Sequence, residues 1–483
     1  MNQTSTTELE ELEALARRLE IPADQRHRWN ATVMEYADQF LDELPARNAF
    51  DARADRGARL NDVPIEKEGK PLEQLLALLH DHVDRNGINP ASGRHLGYIP
   101  GGGIYHSALG DYLAAVTNRY AGMFFASPGA VRIENNLIRW MCQLVGLPET
   151  AHGNLTSGGS LANLIAVTTA RDARNIKAAD MDKQVVYVSR QTHHCIQKAF
   201  RIAGMREAQI RYIPTDAHFR MNAELLRQAV EADIRHGLQP FMIVGSGGTT
   251  DTGAIDPLHE LANIADEHDI WYHVDAAYGG FYLLSEKFAP HFRGIERAHS
   301  VVIDPHKGLF VPYGLGVVLV RDVKNLVESY HHTASYLQDA LGATEEWSPA
   351  DLSPELSKHF RGLRLWLPLH LLGTEPFRAA LEEKALLCQY FYQRIQEEGF
   401  RVGPPPELSV MIYRYVPKQG DSNAFNEALV QYIQQQGRVF LSSTRIDGVF
   451  WIRLAVLSFR THREEIDEVI RVLKEGVEFL SNQ

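Results

Sequence analysis

FMIVGSGGTTDTGAIDPLHELANIADEHDIWYHVDAAYGG, residues 241–280, decides the architecture. Phe241–Gly245 is a short apolar run closed by glycine, and Ile270–Val274 is a second. Between them lies a helical pattern, so the stretch reads strand, helix, strand. Two apolar strands joined through a helix make a parallel pair whose faces are both covered. Working outward, further β-rich runs occur at Val185–Ser189, Gln209–Ile213, Ser300–Ile303 and Leu315–Val320, mostly separated by helical patterns. Repeated units of this kind predict an α/β fold built on a mostly parallel central sheet. Ligands of such sheets bind beyond the carboxyl ends of the strands, which directs attention to the residues just after each run.

The flanks read differently. Residues 7–45 carry Leu9, Leu12, Leu15, Leu19, Val33, Tyr36, Phe40 and Leu44 at helical spacing among many charges, as amphipathic helices that need a surface to pack on. Residues 90–104 are rich in Gly and Pro, which places the end of a first segment near 104. After 366 comes a long helical pattern to Glu398, then a strand at 409–416, a helix at 424–436, strands near 438–442 and 449–455, and a last helix: a small α+β domain. Thr461 and Glu464 fit a capping box for that last helix. The expected organisation is 1–104, 105–366 and 367–483.

The 483 residues, 45% hydrophobic and 23% charged, exclude a disordered or fibrous chain. With 49 Lys plus Arg against 61 Asp plus Glu, the net charge of −12 disfavours nucleic acid and anionic membrane as partners and favours a small molecule. Cys142, Cys195 and Cys388 lie too far apart for a C-x-x-C motif. The polar, acid-rich start and the lack of a long apolar run lead us to expect a cytoplasmic protein.

Several catalytic signatures fail. Gly101–Gly103 lacks the final glycine of a dinucleotide fingerprint, and His259-Glu260 meets Asn263 where a zinc protease needs histidine. Leu155 stands where a nucleophile elbow needs glycine.

Another set holds together. Asn154–Asn163 (NLTSGGSLAN) runs from small residues into a helix, offering amides and a hydroxyl to an anion such as phosphate. Asp275 ends one strand, and Asp304-Pro305-His306-Lys307-Gly308 follows the next. There, apolar walls and an imidazole are expected to leave the lysine amine deprotonated for Schiff-base chemistry. His193 and Thr249 follow two more strands. Singly, each has an ordinary reading: a glycine turn, a capping carboxylate, a surface lysine, satisfied polar side chains. A phosphate cup, an imidazole to stack on a ring, a carboxylate and a lysine, all at strand ends, together answer pyridoxal 5′-phosphate.

The sequence resembles the group II pyridoxal-dependent decarboxylases, the family of aromatic amino acid, glutamate and histidine decarboxylases, from about residue 90 onward. The segments that carry the resemblance are HLGYIPGGGIYHS (95–107), FFASPGAVRIENNLIRWM (124–141), NLTSGGSLANLIA (154–166), YVSRQTHHCIQKA (187–199), HVDAAYGG (273–280), DPHKGLFVPYG (304–314), HFRGLRLW (359–366) and WIRLAVLSFRT (451–461). The resemblance implies a type I aminotransferase-like fold and a homodimer with active sites at the interface, wrapped by the N-terminal helices. It implies that Lys307 binds the cofactor covalently, that Asp275 pairs with its ring nitrogen, and that His193 and Ala277 flank its ring. Gly158, Gly159, Ser160 and His306 serve its phosphate region, with Thr249 alongside. Arg453 is implied to meet the substrate carboxylate, Tyr98 and Phe124 to line the substrate pocket, and Tyr336, in a catalytic loop over 330–359, to donate a proton. The expected reaction is decarboxylation of an L-amino acid, aromatic by preference; an acidic amino acid decarboxylase and an aldehyde synthase of the same family are the alternatives.

Overall fold

A computed structural model describes residues 3–53, 55–331 and 345–482. The chain divides into two compact units, Met1–Asn89 and Pro90–Gln483. The smaller contains the helices Gln3–Ala16 and Ala23–Glu43, the second entered through Pro22, whose fixed φ suits a helix start. Ion pairs one turn apart, Arg17 with Glu13 and Arg28 with Asp24, lie along them. Leu9, Leu12, Leu15 and Leu19 are exposed, and Phe50–Asp51 pairs antiparallel with Gly87–Ile88.

The larger unit is built on seven strands: β1 (His152–Thr156), β2 (Gln184–Ser189), β3 (Gln209–Ile213), β4 (Gln239–Ser246), β5 (Trp271–Asp275), β6 (Ser300–Ile303) and β7 (Gly316–Val320). Their order is β1-β7-β6-β5-β4-β2-β3, and β7 alone runs against the rest. Successive valines alternate sides. Val186, Val244, Val302 and Val318 enter one core, and Tyr187, Ile243, Val301 and Leu319 enter the other. Each such buried side chain stabilises the fold by roughly 1.5–3 kcal/mol. Six strands coincide with the runs read from sequence to within two residues at each end.

β1 was not legible as a strand. His152-Gly153-Asn154-Leu155-Thr156 lacks a β-branched apolar run, yet all five residues are buried. Gly153 is required there, because a Cβ would lie 2.0 Å from the Val318 carbonyl oxygen. The Asn154 amide is satisfied from outside the sheet, donating to the Pro349 carbonyl and accepting from Lys358 Nζ. Pairing with β7 makes this polar segment a strand; its own propensity does not.

A second sheet, in the order β8 (Phe400–Val402), β9 (Val410–Tyr415), β11 (Val449–Ala455) and β10 (Ser442–Ile446), is antiparallel throughout. Three local expectations are corrected. The strand expected at 438–442 lies at Ser442–Ile446, because Phe440 bridges instead to His95. The helical pattern ending near Glu398 is two helices, Gly362–Leu372 and Glu375–Glu397, broken at Gly373 with φ +70°. The capping box is one residue on: Glu465 accepts from the His462 amide, while the Thr461 hydroxyl donates to the Gly93 carbonyl.

Candidate active site

Five strand ends meet along one edge of the central sheet. β1 ends into Ser157-Gly158-Gly159, β2 into the turn carrying His193, β4 into Gly248-Thr249, β5 in Asp275, and β6 into Asp304–Lys307. Because β7 runs the other way, its first residue, Gly316, lies opposite Thr156 at the same edge. Together these ends line a cleft of about 440 Å³, within the usual range for small-molecule sites. Gly158, Gly159, Ser160, His193, Thr249, Asp275, Ala277, His306 and Lys307 all line it.

The glycine turn opens the helix Gly159–Ala173, whose first amides have no partner within the helix. Gly158 has φ +155°, and a Cβ on Gly159 would lie 2.8 Å from Asp304 Oδ2, so the backbone comes close where a side chain could not. Asp275 accepts from Asn163 Nδ2 at 3.1 Å and from the Ala277 amide at 3.1 Å. Asn163 Oδ1 lies 2.8 Å from His273 Nε2, and His273 Nδ1 lies 2.8 Å from Ser300 Oγ, to which Trp271 Nε1 donates. Since the Asn163 amide nitrogen is turned to Asp275, its oxygen accepts, which places the His273 proton on Nε2. Burial lowers the His273 pKa to about 4, so this ring is neutral and the relay has one direction.

The His193 Nδ1 accepts from the Cys195 amide at 3.3 Å, which leaves Nε2 to carry the proton of the neutral ring. Burial pushes the His193 pKa down, against the pull of Asp275. Lys307 departs from expectation. Burial alone lowers its pKa, but Asp304, with Oδ2 3.0 Å from Nζ, and then Asp275 more than offset this, and the net shift is upward. The amine is therefore held protonated, because a carboxylate lies beside it in addition to the apolar walls and the imidazole.

Other expected residues lie elsewhere. Arg453, 3% exposed, does not line the cleft; it donates to the carbonyls of Asp251, Thr250 and Tyr98 and to Ser442 Oγ. Tyr98, with φ +55°, packs on Phe440 at 5.7 Å, and Phe124 is buried beneath Arg132; neither lines the cleft. Tyr336 lies outside the described residues. The structure adds Asn163, Asp304 and Tyr313 to the site. For Asn163 there was a signal, a lone amide four residues past Gly159 in an otherwise apolar helix start.

A site of this kind belongs to a pyridoxal-phosphate enzyme. The pyridoxal-dependent decarboxylase conserved domain matches residues 57–416, most of the chain, and the chain belongs to that family. It is 32% identical over 447 residues to an aromatic-L-amino-acid decarboxylase of Bacillus atrophaeus, covering 91% of this chain and 92% of the relative. It is 29% identical to a phenylacetaldehyde synthase of Petunia hybrida, covering 95% and 96%. The fold is that of the Oryza sativa TDC solved with PLP and tryptamine: TM-score 0.90 at 23% identity, over 95% of this chain and 99% of that one. The protein is thus a pyridoxal-phosphate-dependent carboxy-lyase. The residues present fit the cofactor, since the glycine turn at the start of a helix, a lysine and a carboxylate all line the same cleft.

Proposed function

We propose that this enzyme decarboxylates an aromatic L-amino acid, of the tyrosine, DOPA, tryptophan or phenylalanine type, to the amine and CO2. The observation that carries the reading is the single cleft uniting Lys307, Asp275, His193 and the glycine turn. Its cationic or titratable nitrogen side chains, among the described residues, are only His193, His306 and Lys307, which leaves no spare cation for an acidic substrate side chain. Tyr278 and Tyr313 offer aromatic wall.

Bound pyridoxal phosphate supplies a sink for the electrons of the bond to the departing carboxylate. Lys307 would hold the cofactor covalently through its side-chain nitrogen. Gly158, Gly159 and Ser160 hold its phosphate, with His306 and Thr249 beside them. Asp275 keeps the proton on its ring nitrogen, and Asn163, fixed by His273, keeps the Asp275 carboxylate in place. His193 and Ala277 confine the ring, and the Nε2 proton of His193 orients the substrate carboxylate. Arg453 orders the loops at Tyr98 and Thr250–Asp251 around that end of the site. Tyr336 returns a proton to the substrate carbon. We assign Tyr98 and Phe124, which lie outside the cleft itself, to the substrate side-chain pocket.

We also assign a homodimer with active sites at its interface, supported by the exposed leucines of the N-terminal helices, and a cytoplasmic location in amino acid metabolism. No described helix is long and apolar enough to cross a membrane.

The test is a panel of twenty amino acids with CO2, amine and oxygen measured together. Equimolar amine and CO2 from an aromatic substrate without oxygen uptake is the expected result. A preference for glutamate or aspartate overturns the substrate class, and aldehyde with oxygen uptake makes the chain an aldehyde synthase.

A further inference from the structure

Asp304 is a carboxylate where the chemistry of the site calls for none. It is 1% exposed, ion-paired at 3.0 Å with Lys307 Nζ, and its oxygens have no well-formed hydrogen bond. It is pressed into the glycine turn: a Cβ on Gly159 would lie 2.8 Å from Oδ2, and one on Gly316 would lie 2.6 Å from Oδ1. His306 Nε2 is 3.7 Å away, and the other titratable groups around the pair are Cys195, His193, Asp275 and Tyr313. A phosphate on this turn therefore settles beside a buried carboxylate. Like charges that close favour protonation of one of them. A proton is at hand on Lys307, which cannot attack an aldehyde while it is an ammonium.

We propose that Asp304 is a phosphate-sensitive lock on Lys307. As a carboxylate it holds Nζ as an unreactive ammonium; phosphate binding on the glycine turn drives one proton from Nζ to Asp304 and frees the amine. The amine nitrogen then bonds to the aldehyde carbon, the carbonyl oxygen leaves as water with both amine hydrogens, and the proton stays on Asp304. Nothing is oxidised or reduced. The lysine is thereby reserved for aldehydes that carry, or arrive with, a phosphate. Asp304 acts through Lys307 as a positioning residue for its proton, and the inference rests on the roles proposed for Lys307 and the glycine turn.

The test follows capture of pyridoxal, which lacks the phosphate, by the cofactor-free full chain, with and without inorganic phosphate and at equal ionic strength set with sodium chloride. Capture is read by visible absorption and, after borohydride reduction, by the mass added to the peptide containing residue 307. The wild-type chain is expected to capture pyridoxal slowly and to be accelerated about tenfold or more by phosphate, the effect of one unit in the lysine pKa. Asp304→Asn is expected to capture pyridoxal quickly without phosphate and to change less than about twofold when phosphate is added. Phosphate that is inert or inhibitory toward the wild type overturns the lock, as does an Asp304→Asn chain that is slower or still responds to phosphate. The wild-type arm decides the matter even if the variant does not fold. Pyridoxal phosphate that labels a residue other than Lys307 refutes the site assignment instead, so the two failures are distinct.

Discussion

Asn163→Leu removes, with the same branching and number of side-chain heavy atoms, the amide on which Asp275 and His273 both depend. Asn163 and His273 are each fully buried. Without the Asn163 oxygen, the His273 Nε2 proton has no acceptor, at a cost of about 1–3 kcal/mol for a buried unsatisfied donor. Asp275 loses a hydrogen bond to a charged group, about 1.5–3 kcal/mol, and keeps the Ala277 amide as its second donor. The two losses share one side chain and sum to about 2.5–6 kcal/mol of stability. Turnover is expected to fall by about 10–100-fold, since a carboxylate freed to turn on one remaining bond holds the ring-nitrogen proton less well. The assay is urea unfolding followed by tryptophan fluorescence, with kcat for the preferred substrate measured alongside. Pairing Asn163→Leu with His273→Phe removes donor and acceptor together and should recover at least about 1 kcal/mol. A stability loss below about 0.5 kcal/mol with unchanged kcat refutes the relay.

His95, His152 and His273 are buried with pKa values lowered to about 4 from 6.5, chiefly by burial. The unfolded chain binds protons more readily, so the stability present above pH 6.5 should drain away as pH falls toward 4, by up to about 3 kcal/mol per histidine; a flat urea midpoint across that window contradicts this. Asp275→Asn is expected to retain cofactor, read by absorption, while losing about 100-fold or more in kcat; a loss of less than about tenfold means another group protonates the ring nitrogen. Deleting residues 1–45 should yield aggregated or inactive monomeric protein by sedimentation and turnover, and a monodisperse active monomer would refute the dimer assignment.

Strands β2 to β7 were legible because a sheet covered on both faces needs nearly continuous apolar runs, and Val185–Val188 or Val317–Val320 announce themselves. β1 was not, because its burial comes from β7 and from Asn154 partners far along the chain. The cleft residues that were legible end a strand or lie in the turn after one, where sequence position fixes place in space. Arg453 shows the limit: its surroundings come from loops near 98, 250 and 442, and no local pattern reveals that its donors are taken up there. Likewise Asp304 was visible as a residue, but its 3.0 Å contact with Lys307, which reverses the expected protonation of the amine, exists only once the chain after β6 turns into a helix.

Release of CO2 from carboxyl-labelled substrate, using the best aromatic amino acid of the panel, compares the wild-type chain with Lys307→Ala most directly. The account predicts stoichiometric label release and amine from the wild type, and none above background from a Lys307→Ala protein with unchanged circular dichroism. Label released by the variant at the wild-type rate contradicts the claim that Lys307 anchors the chemistry.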